Sequence, residues 1–167
     1  VCSSDLPMSM SGRPNLTQCA LSRYFQNGTP TAMSEIHIRH YEPRDYEMLS
    51  EWVYSHGKQW LPEAMLPKCG VICELDGKPV SALFLHMDNS CGMCMADHAV
   101  SVPGLALKTS LLAFKHCVEC LRKIARDFGY HTMAVYCYKG IAKVLESQGF
   151  QKTENNLIQM FSSTAEI

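Results

Sequence analysis

The chain has 167 residues, 47% of them hydrophobic, and a formal net charge of −1. That is enough apolar mass for one domain with a real core, while the dispersed Lys and Arg leave no basic stripe for a nucleic-acid backbone. No apolar stretch reaches membrane-spanning length, so neither nucleic acid nor a bilayer is an expected partner.

Residues 1–32 are rich in Ser, Pro, Thr, Asn and Gly and carry no sustained helix or strand period. The opening VCSSDL resembles an in-frame translation of a sequencing-adapter end. The expectation is a non-native or disordered segment over 1–32, with Met33 as initiator of a domain spanning 33–167. A signal peptide would need a basic start and an apolar core, which this stretch lacks.

From Met33 the elements are legible in order. IHIRHY alternates Ile36, Ile38 and His40 with His37, Arg39 and Tyr41, as a strand does. Glu42-Pro43-Arg44-Asp45 opens a helix, since Pro in a first turn costs no hydrogen bond. Tyr46, Leu49, Trp52 and Val53 follow at helical spacing until His56-Gly57. SHGKQWLPEAMLPK reads as a loop or broken helix.

GVICEL and PVSALFLHM are strands joined by Asp76-Gly77, a strong hairpin signal. After the DNSCG turn, MCMADHAVSV completes an antiparallel meander that must stop at Pro103-Gly104. Leu107, Leu111, Phe114, Val118, Leu121, Ala125 and Phe128 then form the buried stripe of a long helix closed by Gly129. HTMAVYCY is a further strand, free to run parallel to the third meander strand because a helix separates them. GIAKVLESQ is a second amphipathic helix ending in Gly149-Phe150, and LIQMF a last strand.

This order of elements resembles the GNAT superfamily of acetyltransferases over about residues 35–161. VLESQGF stands where that family carries a closing helix and turn of the form LYEKLGF. YEPRDYEML and the MDNSCG turn also resemble small GNAT-like proteins encoded by tailed phages. The resemblance implies an α+β, three-layer fold with a mixed, mostly antiparallel sheet flanked by helices. It also implies acetyl-CoA as co-substrate and attack of a small-molecule or protein amine on its thioester, by a monomer or homodimer.

In the family, the strand before the long helix splays from its parallel neighbour and offers N–H groups to the pantetheine, and the following helix start receives the pyrophosphate. Here those parts are MCMADHAVSV and PGLALKTSLL. Counted from Pro103, the family's R-x-x-G-x-G/A signature falls on Ala106, Thr109 and Leu111, and its Arg and both glycines are missing. The expected coenzyme contacts are therefore Val100, Ser101 and Val102 with a replacement loop of Lys108, Thr109 and Ser110. The family's tyrosine acid falls on Leu145, and the asparagine that often precedes that helix on Tyr138.

Substitute catalytic groups follow from position. Asp97, beside the expected thioester, could take the amine's proton directly or through water, or serve as a buried hydrogen-bond acceptor. Tyr136 and Tyr138 alternate onto one face of the expected parallel strand, where either donates to the departing thiolate or packs. Trp52, His56, Trp60 and Glu63 are the expected acceptor side. His98 is the histidine set beside Asp97. Two readings stay open: an N-acyltransferase with an altered coenzyme loop, and a GNAT-fold binding protein without catalysis.

A third class rests on cysteines, because CGMC and CVEC have a plausible zinc spacing. Cys91 and Cys94 would point to opposite faces of a regular strand, and Cys117 and Cys120 share a helix flank as small hydrophobes would. No metal is expected. Cys137 lacks a neighbouring base for a nucleophile's role. Free thiols fit a reducing cytoplasm, that of the host if the chain is phage-encoded.

Overall fold

The computed structural model describes residues 35–154, so the segment 1–32 and the expected strand at 157–161 lie outside the described residues. The chain divides into two compact units, Val1–Tyr136 and Cys137–Ile167.

The first unit is built around a hairpin whose turn dictates its register. Asp76 and Gly77 both take positive φ, 51° and 74°, as a two-residue turn matched to strand twist requires. The turn joins β2 (Cys69–Leu75) to β3 (Lys78–Met87). β1 (Ile36–His40) pairs antiparallel with β2, and β4 (Met93–Ser101) antiparallel with β3. β5 (Thr132–Val135) runs parallel to β4, giving a five-stranded sheet in the order β1-β2-β3-β4-β5. This is the expected mixed, mostly antiparallel α+β sheet.

Helices cover both faces. Helix α1 (Tyr46–Ser55) follows a 3-10 turn at Pro43–Asp45 and buries Leu49, Trp52 and Val53. These pack with Ile72, Ala82, Phe84 and Val100 of the sheet. The alternate residues Val71, Cys73, Leu83 and Leu85, also buried, face the other way, where the Cys73 and Cys117 thiols are hydrogen-bonded. Cys117 belongs to α2 (Leu107–Asp127), the long crossover helix between β4 and β5.

Phe114, Val118, Leu121, Ala125 and Phe128 are buried as their spacing predicts. Leu107, by contrast, is 72% exposed, and Leu111 is half-buried. The fully buried stripe therefore begins at Ala113 and Phe114, nearly two turns into α2. β1 also differs from expectation: all five of its residues are half-buried. Arg39 and His37 are covered in part through their contacts with Glu74.

The second unit carries α3 (Lys139–Ser147). Its ending shows why KVLESQGF closes on Gly-Phe. Gly149 takes φ 87°; its N–H bonds Glu146 O at 3.0 Å, and Phe150 N–H bonds Leu145 O at 3.1 Å. That paired 5→2 and 6→1 closure is a Schellman cap, which strongly favours glycine at the left-handed position. α2 ends the same way, with Tyr130 N–H on Ala125 O and Gly129 N–H on Arg126 O, both 2.9 Å.

Candidate active site

β4 and β5 pair only from Met93 opposite Thr132 to Ala96 opposite Val135. Beyond Ala96, β4 continues to Ser101 against β3 alone among the described residues. Its other edge, from Asp97 to Ser101, presents alternate backbone N–H groups that no strand among the described residues takes. Val100, Ser101 and Val102 lie along or just past this open edge, and Val102 N–H is used on Val80 O at 2.9 Å.

The start of α2 follows within six residues. Ala106 is its N-cap and provides no side-chain hydrogen bond, so the first-turn N–H groups keep the unpaired character of a helix start. The first intrahelical bond runs from Ser110 N–H to Ala106 O at 2.9 Å, and Ser110 Oγ donates to Ser101 Oγ at 3.2 Å. The structure thus brings Ser101 and Ser110, both expected coenzyme contacts, together. Lys108 is exposed and Thr109 half-buried in the same first turn.

At the fork between β4 and β5 lies a bulge. Phe84 opposes Asp97 while Ala82 opposes Val100, which leaves one residue extra on β4. His98 sits there with φ 56°, a left-handed conformation uncommon outside glycine. The bulge cancels the alternation that would send Asp97 and His98 to opposite faces. Asp97 Oδ1 accepts the His98 N–H at 2.7 Å, and His98 Nε2 lies 3.3 Å from His86 Nε2 on β3. Potential ligand atoms of His86, Asp97 and His98 all lie within 4.8 Å of one another. Burial lowers the His98 pKa; the Asp97 charge pulls it back up and His86 pushes it further down.

Of the expected acceptor side, Trp60 joins this cluster. Its ring meets His98 edge-on at 6.1 Å and tilts over Phe84 at 6.3 Å, and its Nε1 is buried with no hydrogen-bond partner among the described residues. His56 is exposed, with Nε2 2.9 Å from Ser101 O, which ties the end of α1 to the open strand. Glu63 is exposed on the 3-10 turn Glu63–Met65. Trp52 is 7% exposed and packs in the core with Leu49 and Val100.

The expected strand over HTMAVYCY stops at Val135. Tyr136 is 58% exposed just past its end, and Tyr138, 75% exposed, is the N-cap residue of α3 in the second unit. The two tyrosines therefore do not share a strand face. Leu145, at the family's acid position, is buried. Cys94, Cys117 and Cys120 are buried and Cys91 is half-buried. Among the described residues the cysteines form no group able to share an ion, whereas His86, Asp97 and His98 do.

Sequence reasoning passed over His86. Its signal was available: the short 88–92 turn pairs Met87 with Cys94, and counting back along that register places His86 two residues from the position opposite Asp97.

No protein-family model and no curated protein sequence matches the chain. Solved structures do match in shape. An acetyltransferase from Trypanosoma brucei superposes with a TM-score of 0.55 at 15% identity, over 76% of this chain and 100% of the other. A ribosomal-protein-alanine N-acetyltransferase from Brucella melitensis gives 0.56 at 14% identity, over 77% and 100%. An aminoglycoside N-acetyltransferase in complex with CoA gives 0.54 at 14%, over 81% and 100%. The chain has the GNAT acetyltransferase fold. Among the described residues no helix is long and apolar enough to cross a membrane.

Proposed function

We propose that the chain is an N-acyltransferase that moves an acetyl group from acetyl-CoA to an amine. The observation that carries this reading is the coincidence of three features at one end of the sheet. β4 loses its parallel partner after Ala96, an uncapped helix start follows at Ala106, and titratable side chains gather at the bulge between them.

The residues fit the co-substrate in part. The open edge of β4 supplies fixed N–H donors for a thioester oxygen as charge builds on it, and the first turn of α2 with Lys108, Thr109 and Ser110 supplies donors for pyrophosphate. Side chains at Ala106, Thr109 and Leu111 replace the Arg and glycines of the family signature and keep the backbone further from phosphate. Modest affinity follows.

In the transfer the new N–C bond forms as the C–S bond breaks. Asp97 takes the amine's proton, directly or through water, and Tyr136 at the fork is the proton donor to the leaving thiolate. Trp60 and Glu63 border the acceptor, a small amine or a protein amine. Tyr138 belongs to the second unit and has no part in this proposal. Calorimetry tests it: wild-type protein should take up acetyl-CoA, and the absence of heat with millimolar acetyl-CoA, propionyl-CoA or CoA would remove the transferase reading. The buried Leu145 at the family's acid position favours the second reading, a catalytically silent binding protein, in that event.

A further inference from the structure

We propose that His86, Asp97 and His98 form a binding site for one divalent transition-metal ion, a class of ligand the fold does not require. The site stands whether or not the chain transfers acyl groups.

Three observations carry it. First, the donor set is two imidazoles and one carboxylate within 4.8 Å, a combination that suits zinc and its first-row neighbours and is poorly suited to Mg2+ or Ca2+, which prefer all-oxygen shells. Second, the His86 and His98 Nε2 atoms are 3.3 Å apart. Two imidazole nitrogens held at about 2.0–2.1 Å on a tetrahedral zinc are about 3.3–3.4 Å from each other. Third, the bulge directs two consecutive residues of β4 into one cluster, at the cost of a left-handed φ of 56° at a histidine. A strand without the bulge would send one of the two to the opposite face.

The same short N···N distance also suits a hydrogen bond between neutral rings, one donating and one accepting. The metal replaces that proton, with both rings then in the Nδ1–H tautomer. Asp97 swings its carboxylate toward the ion while one oxygen keeps the His98 N–H, an outer-shell arrangement typical of ligating carboxylates. Three protein ligands leave a fourth position open to water, as at catalytic zinc sites. Trp60 walls the His98 side. Because Asp97 is also the proposed proton acceptor, an ion here withdraws it from that role, and the transferase becomes sensitive to free zinc.

The test is titration of the metal-free full chain with cobalt(II) chloride, followed by visible absorption and then displacement by zinc chloride. The expected result is saturation at one cobalt per chain with the intense visible bands of four-coordinate cobalt, no near-ultraviolet thiolate charge-transfer band, and loss of colour with zinc. His86→Gln and His98→Asn should each weaken binding by more than the roughly ten- to hundredfold that losing an outer-shell partner costs. Asn tolerates the left-handed backbone at 98, so the second variant keeps its fold. No saturable colour, colour untouched by both substitutions, or a thiolate band would each overturn the proposal, the last assigning the ion to cysteines.

Discussion

Arg39 grips Asp45 with both ends of its guanidinium fork, Nη1 to Oδ2 at 2.7 Å and Nη2 to Oδ1 at 2.8 Å. Its Nε donates to Glu74 Oε1 at 2.7 Å, so one side chain ties β1 to β2 and to the turn before α1. Asp45 also accepts the Glu42 N–H at 2.9 Å. Burial alone would raise the Asp45 carboxyl, but the hydrogen bonds from Arg39 and Glu42 outweigh it and leave the pKa lowered. Hydrogen bonding to Asp45 likewise raises the Arg39 pKa.

Asp45→Asn should therefore cost about 1.5–3 kcal/mol in denaturant unfolding, since it takes one of its two carboxylate partners from a partly buried guanidinium and leaves it Glu74 alone. Arg39→Lys should cost nearly as much, because an ammonium cannot make the fork. The lowered Asp45 pKa adds stability in full above the ordinary carboxylate value, lost as the pH falls through the folded-state pKa. Equal unfolding midpoints for wild type and Asp45→Asn at neutral pH would show the pair to be idle.

Gly70 illustrates packing that reaches the candidate site. A Cβ there would lie 2.6 Å from Phe84 Cδ1, 2.7 Å from Cε1 and 3.1 Å from Tyr41 Cβ. The Phe84 ring is fully buried and bounded by Tyr41 at 4.9 Å and Trp60 at 6.3 Å, so it has little room to yield. Gly70→Ala should destabilise by about 1–3 kcal/mol, the scale of overpacking. Displaced Phe84 would press on Trp60, and tryptophan fluorescence should shift with it. A change within about 0.5 kcal/mol would mean that the ring moves aside freely.

Burial lowers the His40 pKa from 6.5, against opposing contributions from the Tyr41 and Lys68 backbone and the Glu42 charge, while Arg39 adds to the lowering. Above the ordinary value both folded and unfolded states carry neutral His40, and the residue costs nothing. As the pH falls through about 6.5 the unfolded chain takes up a proton that the folded chain refuses, so stability declines until the folded pKa is passed. His40→Gln should flatten that part of the profile, from about pH 6.5 downward. Thermal unfolding across that range decides it, and an unchanged slope would assign the dependence to other histidines.

Much of the fold could be read because its punctuation is local. Asp76-Gly77, Gly129 and Gly149 each mark a left-handed backbone that few other residues accept, and each ends an element where the sequence says it should. The site was less legible because it depends on registry between strands. Alternation in MADHAVSV sends Asp97 and His98 to opposite faces, and a single extra residue opposite Leu83 reverses that outcome. Nor does periodicity tell where a strand runs out of partner. HTMAVYCY has strand-forming residues throughout, yet β5 ends at Val135, which moves Tyr136 and Tyr138 off the ladder. Trp52 lies deeper than expected for a related reason: helical spacing gives its face but not the depth at which it lies.

The sharpest division of roles lies between Asp97, where the open edge of β4 begins, and Lys108 in the first turn of α2. Lys108 stands exposed in the first turn of α2, where the helix start already favours an anion. If it contacts phosphate, Lys108→Ala should weaken acetyl-CoA binding by about 1–2 kcal/mol, the scale of a charge-assisted hydrogen bond, and leave the rate at saturation close to wild type. Asp97 sits at the bulge, where its Oδ1 accepts the His98 N–H. Asp97→Asn should leave acetyl-CoA affinity nearly intact while acyl transfer falls on the order of a hundredfold or more, as expected on losing a positioned base. The amide still accepts the His98 N–H, so the bulge persists and the loss cannot be assigned to unfolding. Calorimetry and initial rates on the two variants separate the roles. Should Asp97→Asn retain full turnover, the proton goes elsewhere and His98 becomes the next residue to substitute; should Lys108→Ala bind as wild type does, the backbone donors alone hold the pyrophosphate.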